Sequence, residues 1–209
     1  DGDANTISIV LAGKVGPDVE VVVESEKGKL GNSTLTRLLP IKREGTLDFS
    51  AIIEGARRLE NYYQEQGHFF AKVMPACSVK PPLVDSENNV LANDTEFLCS
   101  FLGGQDLTAR EVQVRYRVEL DRRLKLTDIR LRGTDKFTIE DILPVLSSQQ
   151  ANALGIIPIL GYGRGFTSAA ILETDAATIR SLMFELGYQQ AEVRVNRGVT
   201  PDGENLIIT

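Results

Sequence analysis

The sequence has few of the side chains that enzymes use for chemistry. It contains one histidine and two cysteines, and it lacks the motifs of serine hydrolases, phosphate-binding loops and HExxH zinc proteases. The histidine, His68, stands beside Phe69 and Phe70 at a predicted helix end, a position that favours packing or capping over general-base catalysis. One histidine and two cysteines also cannot form a structural zinc site. We therefore predict that the protein is not an enzyme and needs no metal or other cofactor.

Long apolar runs and an excess of basic residues are missing as well. No apolar stretch approaches the roughly 20 residues that a membrane-spanning helix requires. The formal net charge is −6, and the most basic stretch, residues 110–132, also carries many aspartates and glutamates. Because nucleic-acid phosphates favour surfaces rich in lysine and arginine, we predict no nucleic-acid partner.

The polar face of the predicted long helix carries carboxylates without a second cluster that could complete an acid–base pair. We interpret these residues as solvated surface groups: Asp48, Glu54, Glu60 and Glu65. The hydroxyls of Ser33 and Ser168 are better explained as helix caps than as nucleophiles, with Asn32 as another candidate cap for the first helix.

The two cysteines, Cys77 and Cys99, flank a stretch that resembles a loop in need of a tether. In an oxidising compartment they could pair, which would stabilise the fold by about 3 kcal/mol in the chain-entropy model. The alternative is two unrelated buried thiols. We predict the disulfide.

A pattern of apolar residues occurs twice when Gly67 is aligned with Gly187. Each glycine stands where a left-handed helix cap is expected, and the apolar residues before it step by four, three and four residues, which places them on one helical face. The matching sets are Ile52, Ala56, Leu59 and Tyr63, and Leu172, Ala176, Ile179 and Met183. The residues after the two glycines match at identical spacing: His68, Ala71 and Val73, and Tyr188, Ala191 and Val193.

Shorter elements flank this repeat. Apolar-faced short helices end near Pro40 and Pro144, and Thr138 with Asp141 resembles a capping pair. Alternating apolar residues predict strands around the helices, with a bulge near Thr127 where the alternation changes phase. The repeated unit is therefore strand, short helix, long helix, strand, strand.

This order divides the chain into a short segment and two units. Residues 1–15 are predicted to be the trailing strand of a preceding unit or an N-terminal extension. Residues 16–120 form the first unit, with an insertion at about 81–111, and residues 121–209 form the second, with an insertion at about 147–166. The apolar centre of the second insertion, from Gly155 to Gly163, either covers the local core or offers a contact surface to a partner.

The repeated βααββ unit, whose long helix ends in Gly-Tyr before an Ala-x-Val strand, resembles the POTRA domain. In the second copy the resembling residues are Asp175, Ile179, Met183, Leu186, Gly187, Tyr188, Ala191 and Val193. In the first copy they are Leu59, Tyr63, Gly67, His68, Ala71 and Val73. The first copy departs from the pattern at Gly55, which stands where the second has Asp175, and at His68, which replaces the usual aromatic residue.

The resemblance implies an α+β fold of two tandem POTRA-like units, each a small mixed three-stranded sheet with two helices on one face. POTRA domains precede the membrane barrel in the BamA/TamA superfamily of outer-membrane assembly proteins and in two-partner secretion transporters. What this implies is a periplasmic segment of an outer-membrane protein that binds unfolded outer-membrane proteins, accessory lipoproteins or other assembly subunits, and its own C-terminal barrel. A two-partner secretion transporter and a non-catalytic surface or adhesive module are the alternatives.

The strand after the long helix is expected to lie at the edge of such a sheet, where its unpaired backbone groups can accept a client strand. These edge strands are predicted at about 69–80 and 189–195. Pro75 removes a backbone donor from the first and should limit pairing to its earlier half, whereas the second is uninterrupted. The candidate polypeptide-binding residues are Phe70, Lys72, Gln190, Ala191, Glu192, Val193 and Arg194.

Overall fold

The computed structural model describes residues 16–45, 47–148, 150 and 165–209. The predicted strand within 1–15 and the apolar centre of the second insertion lie outside the described residues. The described chain contains two mixed three-stranded sheets, each accompanied by helices, which confirms the predicted α+β fold class.

The elements up to residue 119 build the first unit around one sheet. In chain order they are β1 (Asp18–Ser25), α1 (Asn32–Leu38), α2 (Pro40–Glu44), α3 (Phe49–Gln64), β2 (Lys72–Lys80), β3 (Leu83–Val84), β4 (Val90–Ala92), a 3₁₀ helix (Cys99–Leu102) and β5 (Glu111–Glu119). The sheet has the order β1–β5–β2, with β1 parallel and β2 antiparallel to β5. The short strands β3 and β4 pair with each other inside the first insertion.

Helix α3 begins and packs as its sequence dictates. The Asp48 carboxylate accepts a hydrogen bond from the Ser50 N–H at 3.1 Å and so caps the first turn, which the solvated-surface interpretation missed. The four apolar residues that precede Gly67 in the repeat are buried in the core of the first unit. Helix α1 is different: it starts after Gly31 without a side-chain cap, so the capping predicted for Asn32 or Ser33 is wrong.

The departure at Gly55 has a steric cause. A Cβ atom at this position would lie 2.8 Å from the Tyr116 hydroxyl oxygen and 3.1 Å from Leu39 Cδ2. The hydroxyl in turn donates to the Ile52 carbonyl oxygen at 3.1 Å. The helix therefore approaches β5 too closely for any side chain at residue 55.

The second unit repeats the arrangement with shorter strands. Its elements are β6 (Lys125–Ile129), α4 (Ile139–Ile142), a 3₁₀ helix (Leu143–Val145), α5 (Ala169–Glu185), β7 (Arg197–Val199) and β8 (Asn205–Ile208). The sheet order is β6–β8–β7, with β6 parallel and β7 antiparallel to β8. The register shifts between Leu126 and Asp128, which confirms the predicted bulge. The predicted Thr138–Asp141 capping box and the Ser168 cap of α5 are also present.

The two units meet where the long helix of the first one ends. The backbone N–H of Leu124 donates to the Gly67 carbonyl oxygen at 2.9 Å, and His68 Nδ1 lies 2.6 Å from the Asp121 carbonyl oxygen. The Ala169 N–H at the start of α5 donates to Gln64 Oε1 at 2.7 Å. Phe69 belongs to the core of the second unit rather than the first. His68 thus serves packing at a junction, as its sequence context favours.

The strand predicted at 189–195 is wrong in position. Residues 191–196 carry no strand, and β7 begins at Arg197. The predicted alternation persists in burial, since Ala191, Val193 and Val195 are half-buried between exposed neighbours. The alternation reports which side chains face inward, whereas a strand also needs a paired backbone, and the pairing of β7 with β8 extends to Asn196 and Thr209, the last residue of the sequence.

Candidate functional site

The outer edge of β2 is already occupied in its later half. The Cys77 N–H donates to the Phe97 carbonyl oxygen and the Phe97 N–H donates back to Cys77, both at 2.9 Å. The Val79 N–H donates to the Asn93 carbonyl oxygen at 2.8 Å. Residues of the first insertion therefore pair with β2 from outside, as a neighbouring antiparallel strand would.

The earlier half of the same edge offers no free donor. N–H groups of an antiparallel strand alternate between its two sides, so the outward positions that include Cys77 and Val79 also include Val73 and Pro75. The Val73 N–H donates to Glu60 Oε1 at 3.0 Å, and Pro75 has no N–H. Glu60 is thus not a solvated surface group: its carboxylate occupies a backbone donor of the edge strand.

The covering segment is fixed to the first unit at several points. A disulfide joins Cys77 and Cys99, whose Cα atoms are 5.0 Å apart and whose side chains are buried. Glu96 forms ion pairs with Arg115 at 3.3 Å and with Arg117, both on β5. These contacts hold residues 93–99 against the sheet.

The candidate residues of the first unit do not lie on an open edge. Phe70 lies in the turn before β2, with its ring edge-to-face against Phe69. Lys72 pairs with Glu119 of β5, so its backbone groups point into the sheet. Pro75 does not interrupt β2, which pairs with β5 along its whole length, because the missing donor faces outward.

The candidate residues of the second unit lie together in one extended stretch. Glu192 and Arg194 are exposed and form an ion pair of 2.8 Å, while Ala191 and Val193 turn inward. Within the part of the chain that the structure describes, no backbone hydrogen bond joins 192–195 to a neighbouring strand. The pairing of the second sheet extends to Asn196 and Thr209, whose backbones exchange hydrogen bonds of 2.7 and 2.9 Å.

Large apolar side chains are exposed beside this stretch, at the end of α5. Phe184, Leu186 and Tyr188 are 60%, 55% and 42% exposed. A shallow groove of about 690 Å³ runs between this helix end and residues 189–192, and Phe184 and Tyr188 line it with Arg180 and Ser181. Exposed aromatic side chains beside this extended stretch offer an apolar contact surface.

A second cavity lies on the inner side of the same stretch. It has a volume of about 520 Å³ and separates residues 191–196 from 129–134, with Ile142, Leu172 and Ile179 on its apolar wall.

No group of three or more histidine, cysteine, aspartate or glutamate side chains in 16–148 or 165–209 is placed to hold a metal ion. None of the helices described is long and apolar enough to cross a membrane. The sequence analysis did not assign a role at the first edge to Glu60, Glu96 or Phe97, or at the second to Phe184. The one local signal was Phe184 itself, an aromatic residue on the polar side of a helix end.

Comparison with known proteins agrees with this architecture. Residues 19–96 match the POTRA family, described as a surface antigen variable number repeat. The fold is similar to that of BamA POTRA3-5 from Haemophilus influenzae, with a TM-score of 0.57 and 15% identity over 97% of this chain and 68% of that chain. It is also similar to BamA from Haemophilus ducreyi lacking POTRA domains 1–3, with a TM-score of 0.52 and 16% identity over 92% of this chain and 28% of that chain. No curated protein matches the chain by sequence.

The match and the fold together define the class of protein. The family match covers β1 to β4 of the first unit and stops inside its insertion, and the similarity in fold extends over both units. Residues 19–96 thus match the POTRA family, and the fold of the two units is similar to that of the POTRA region of BamA.

Proposed function

We propose that the chain is a periplasmic segment of an outer-membrane protein assembly or translocation factor, and that it binds unfolded outer-membrane proteins as extended segments along 190–194. The POTRA fold and the similarity to BamA support the first part. The disulfide between Cys77 and Cys99 fits an oxidising compartment such as the periplasm. Accessory lipoproteins or other assembly subunits, and the membrane barrel of the same protein, are the further partners proposed.

The observation that carries the binding proposal is the contrast between the two edges. The outward N–H groups of β2 are bonded or absent, whereas those of Val193 and Val195, which face away from β8, have no backbone partner among the described residues. Residues 189–192 just before them lie beside Phe184 and Tyr188. A client segment can form backbone hydrogen bonds here and place apolar side chains against the two aromatic rings. Because backbone hydrogen bonds do not depend on side chains, such a site accepts many sequences.

A proline scan tests the backbone part of this proposal. Asn196 exchanges hydrogen bonds with Thr209 of the sheet, so the N–H groups of Val193 and Val195 face away from β8, and proline at either position deletes a donor that faces the client. Each variant should stay folded yet bind a peptide from an outer-membrane β-strand about tenfold more weakly or worse, because it loses a hydrogen bond and gains a steric block. The measurement is an NMR titration, with Glu192→Ala as the control that keeps the N–H and should bind like the parent.

Serine substitutions test the aromatic part. Phe184→Ser and Tyr188→Ser should each weaken binding of the same peptide. Phe49→Ser, which removes an exposed aromatic residue from the first unit, should leave the binding unchanged. If every folded proline and serine variant binds like the parent, pairing along 190–194 is refuted, and the apolar Gly155–Gly163 segment becomes the better candidate.

A further inference from the structure

We propose that residues 93–97 occupy the strand-binding edge of the first unit, so that this unit takes no extended polypeptide while the Cys77–Cys99 disulfide is intact. The inference rests on the proposed function, because a blocked edge matters only if clients bind by strand pairing. The occupation of the edge by residues 93–97 can nevertheless be measured without any client. Residues 93–97 then lie where a client strand would pair with the first unit, and the client site proposed above belongs to the second unit.

The geometry of the covering segment is that of an added strand. Its hydrogen bonds with Cys77 are reciprocal and antiparallel, and the bond from Val79 lies two residues further along β2. Phe97 packs against the core of the first unit and meets Phe101 edge-to-face, with 6.0 Å between ring centroids. An apolar side chain thus enters beside the paired backbone, as we propose for a client at the second unit.

Two further features close the part of the β2 edge that residues 93–97 do not reach. Glu60 occupies the Val73 donor from the helix side, and Pro75 removes the donor between Val73 and Cys77. All four outward positions of β2 are therefore either bonded within the chain or without a donor. Residues 93–97, the Glu60 carboxylate and Pro75 therefore close successive positions of this edge along its whole length.

The disulfide determines how firmly the cover is held. Leu83, Ala92 and Leu102 are buried with Cys99 in the first core, so the insertion packs on both sides of residues 93–97. A dithiol reductant would convert the disulfide to two thiols while it is itself oxidised to a disulfide. Residues 93–97 would then be held by their hydrogen bonds, the ion pairs of Glu96 and the packing of Phe97, without a covalent link, and the edge at Cys77 and Val79 becomes a second polypeptide site.

Amide hydrogen exchange tests the cover directly in the oxidised chain. The Cys77 and Val79 amides should exchange at least about a hundredfold more slowly than those of 192–194, because they are bonded and buried. In the Cys77→Ala/Cys99→Ala variant the amides of residues 77 and 79 should exchange about tenfold or more faster than in the parent, relative to the β5 amides. Rapid exchange at both positions in the oxidised parent would overturn the proposal.

A peptide titration then tests the consequence. In the oxidised parent, an outer-membrane β-strand peptide should move amide resonances of the second unit and none of β2. In the double alanine variant, β2 resonances should move as well. If that variant does not fold, Phe97→Pro serves instead, since it deletes the Phe97 donor and keeps the disulfide, with Phe101→Ala as its control on the same insertion.

The outcomes separate this inference from the proposed function. Slow exchange of the Cys77 and Val79 amides, together with no peptide binding to either unit, would support the occupation of the β2 edge by residues 93–97 and refute the proposed client binding along 190–194. Two results would refute the blocking of the β2 edge by residues 93–97 while leaving the proposed site of the second unit intact. One is a peptide-induced shift of β2 resonances in the oxidised parent. The other is a variant in which the peptide shifts resonances of the second unit but none of β2.

Discussion

The two long helices end in the same conformation but meet different surroundings. Gly67 and Gly187 have φ values of 100° and 93°, the left-handed region that glycine adopts without strain. A Cβ atom at Gly67 would lie 2.7 Å from Arg123 Cγ and 2.8 Å from Phe166 Cε1, whereas one at Gly187 would have no atom within 4 Å. The repeated glycine therefore fixes only the turn. The residues that follow decide whether the turn becomes a junction or an open surface.

The strands that follow the two turns differ in the same way. β2 is paired on one side by β5 and covered on the other by its own insertion, while 191–195 carries no strand. The first unit thus closes the outer edge of its sheet with its own insertion, whereas none of the described residues pairs with the outer edge of β7. Breaking the features that close the first unit should reveal how much each contributes.

The largest effect is expected from removal of the disulfide. The Cys77→Ala/Cys99→Ala variant should lose about 3 kcal/mol of unfolding free energy, since the bridge restricts the unfolded chain. Urea denaturation of parent and variant measures the loss. A thiol assay on oxidised, denatured protein should find no free thiols, and two reactive thiols would contradict the pairing.

The two glycines provide a matched pair of substitutions. Gly67→Ala and Gly187→Ala both place a side chain at positive φ, which costs about 1 kcal/mol each. Only Gly67→Ala also forces Cβ against Arg123 and Phe166, so it should be the more destabilising by about 2 kcal/mol. Equal losses in denaturation experiments would show that the junction relaxes freely around the new methyl group.

Asp175 of the second unit and Gly55 of the first occupy equivalent helix positions with opposite demands. The Asp175 carboxylate accepts from the N–H groups of Ser147 at 2.6 Å and Ser148 at 2.9 Å and is itself buried. Asp175→Ala leaves two donors unpaired and should cost about 1–2 kcal/mol. The exposed Glu173→Ala on the same helix is the control and should change the unfolding free energy by less than about 0.5 kcal/mol.

The helices, the bulge and the two caps that were predicted correctly depend on residues close together in the sequence. Apolar spacing places Ile52 and Leu59 on one helical face, and Thr138 finds Asp141 one turn away. The division into two units follows from repeating these local patterns. Such features could be read from the chain because no distant contact decides them.

The features that were missed depend on contacts between distant parts of the chain. Glu60 looks solvated in the helix pattern, but the fold brings it to the Val73 N–H. Nothing local in residues 93–97 shows that they return to β2, and alternation in 189–195 cannot show whether a partner strand is present. Whether a sheet edge is covered therefore depends on tertiary contacts, which local sequence patterns do not report.

The smallest expected effect concerns pH and again separates the two helices. On α3, hydrogen bonds from Arg57 at 2.8 Å and Arg58 at 2.7 Å lower the pKa of Glu54 to about 2. The equivalent residues of α5 carry no such charges: Thr174 and Thr178 instead donate to the carbonyl oxygens one turn earlier, at 3.0 Å each. Only the first helix should therefore carry an acid-sensitive contribution to stability from this position.

The sign and size of that contribution follow from the pKa. Because the folded-state pKa lies below the unfolded value, the stabilisation is present above about pH 4.5 and is lost as the pH falls toward 2. Exposure of the cluster limits the contribution to roughly 0.5 kcal/mol. Glu54→Gln should therefore lower the unfolding free energy slightly at pH 6 and flatten its decline between pH 4.5 and 2, while Thr174→Val leaves that decline unchanged. A Glu54→Gln curve parallel to the parent over this range would show that the three side chains do not interact in solution.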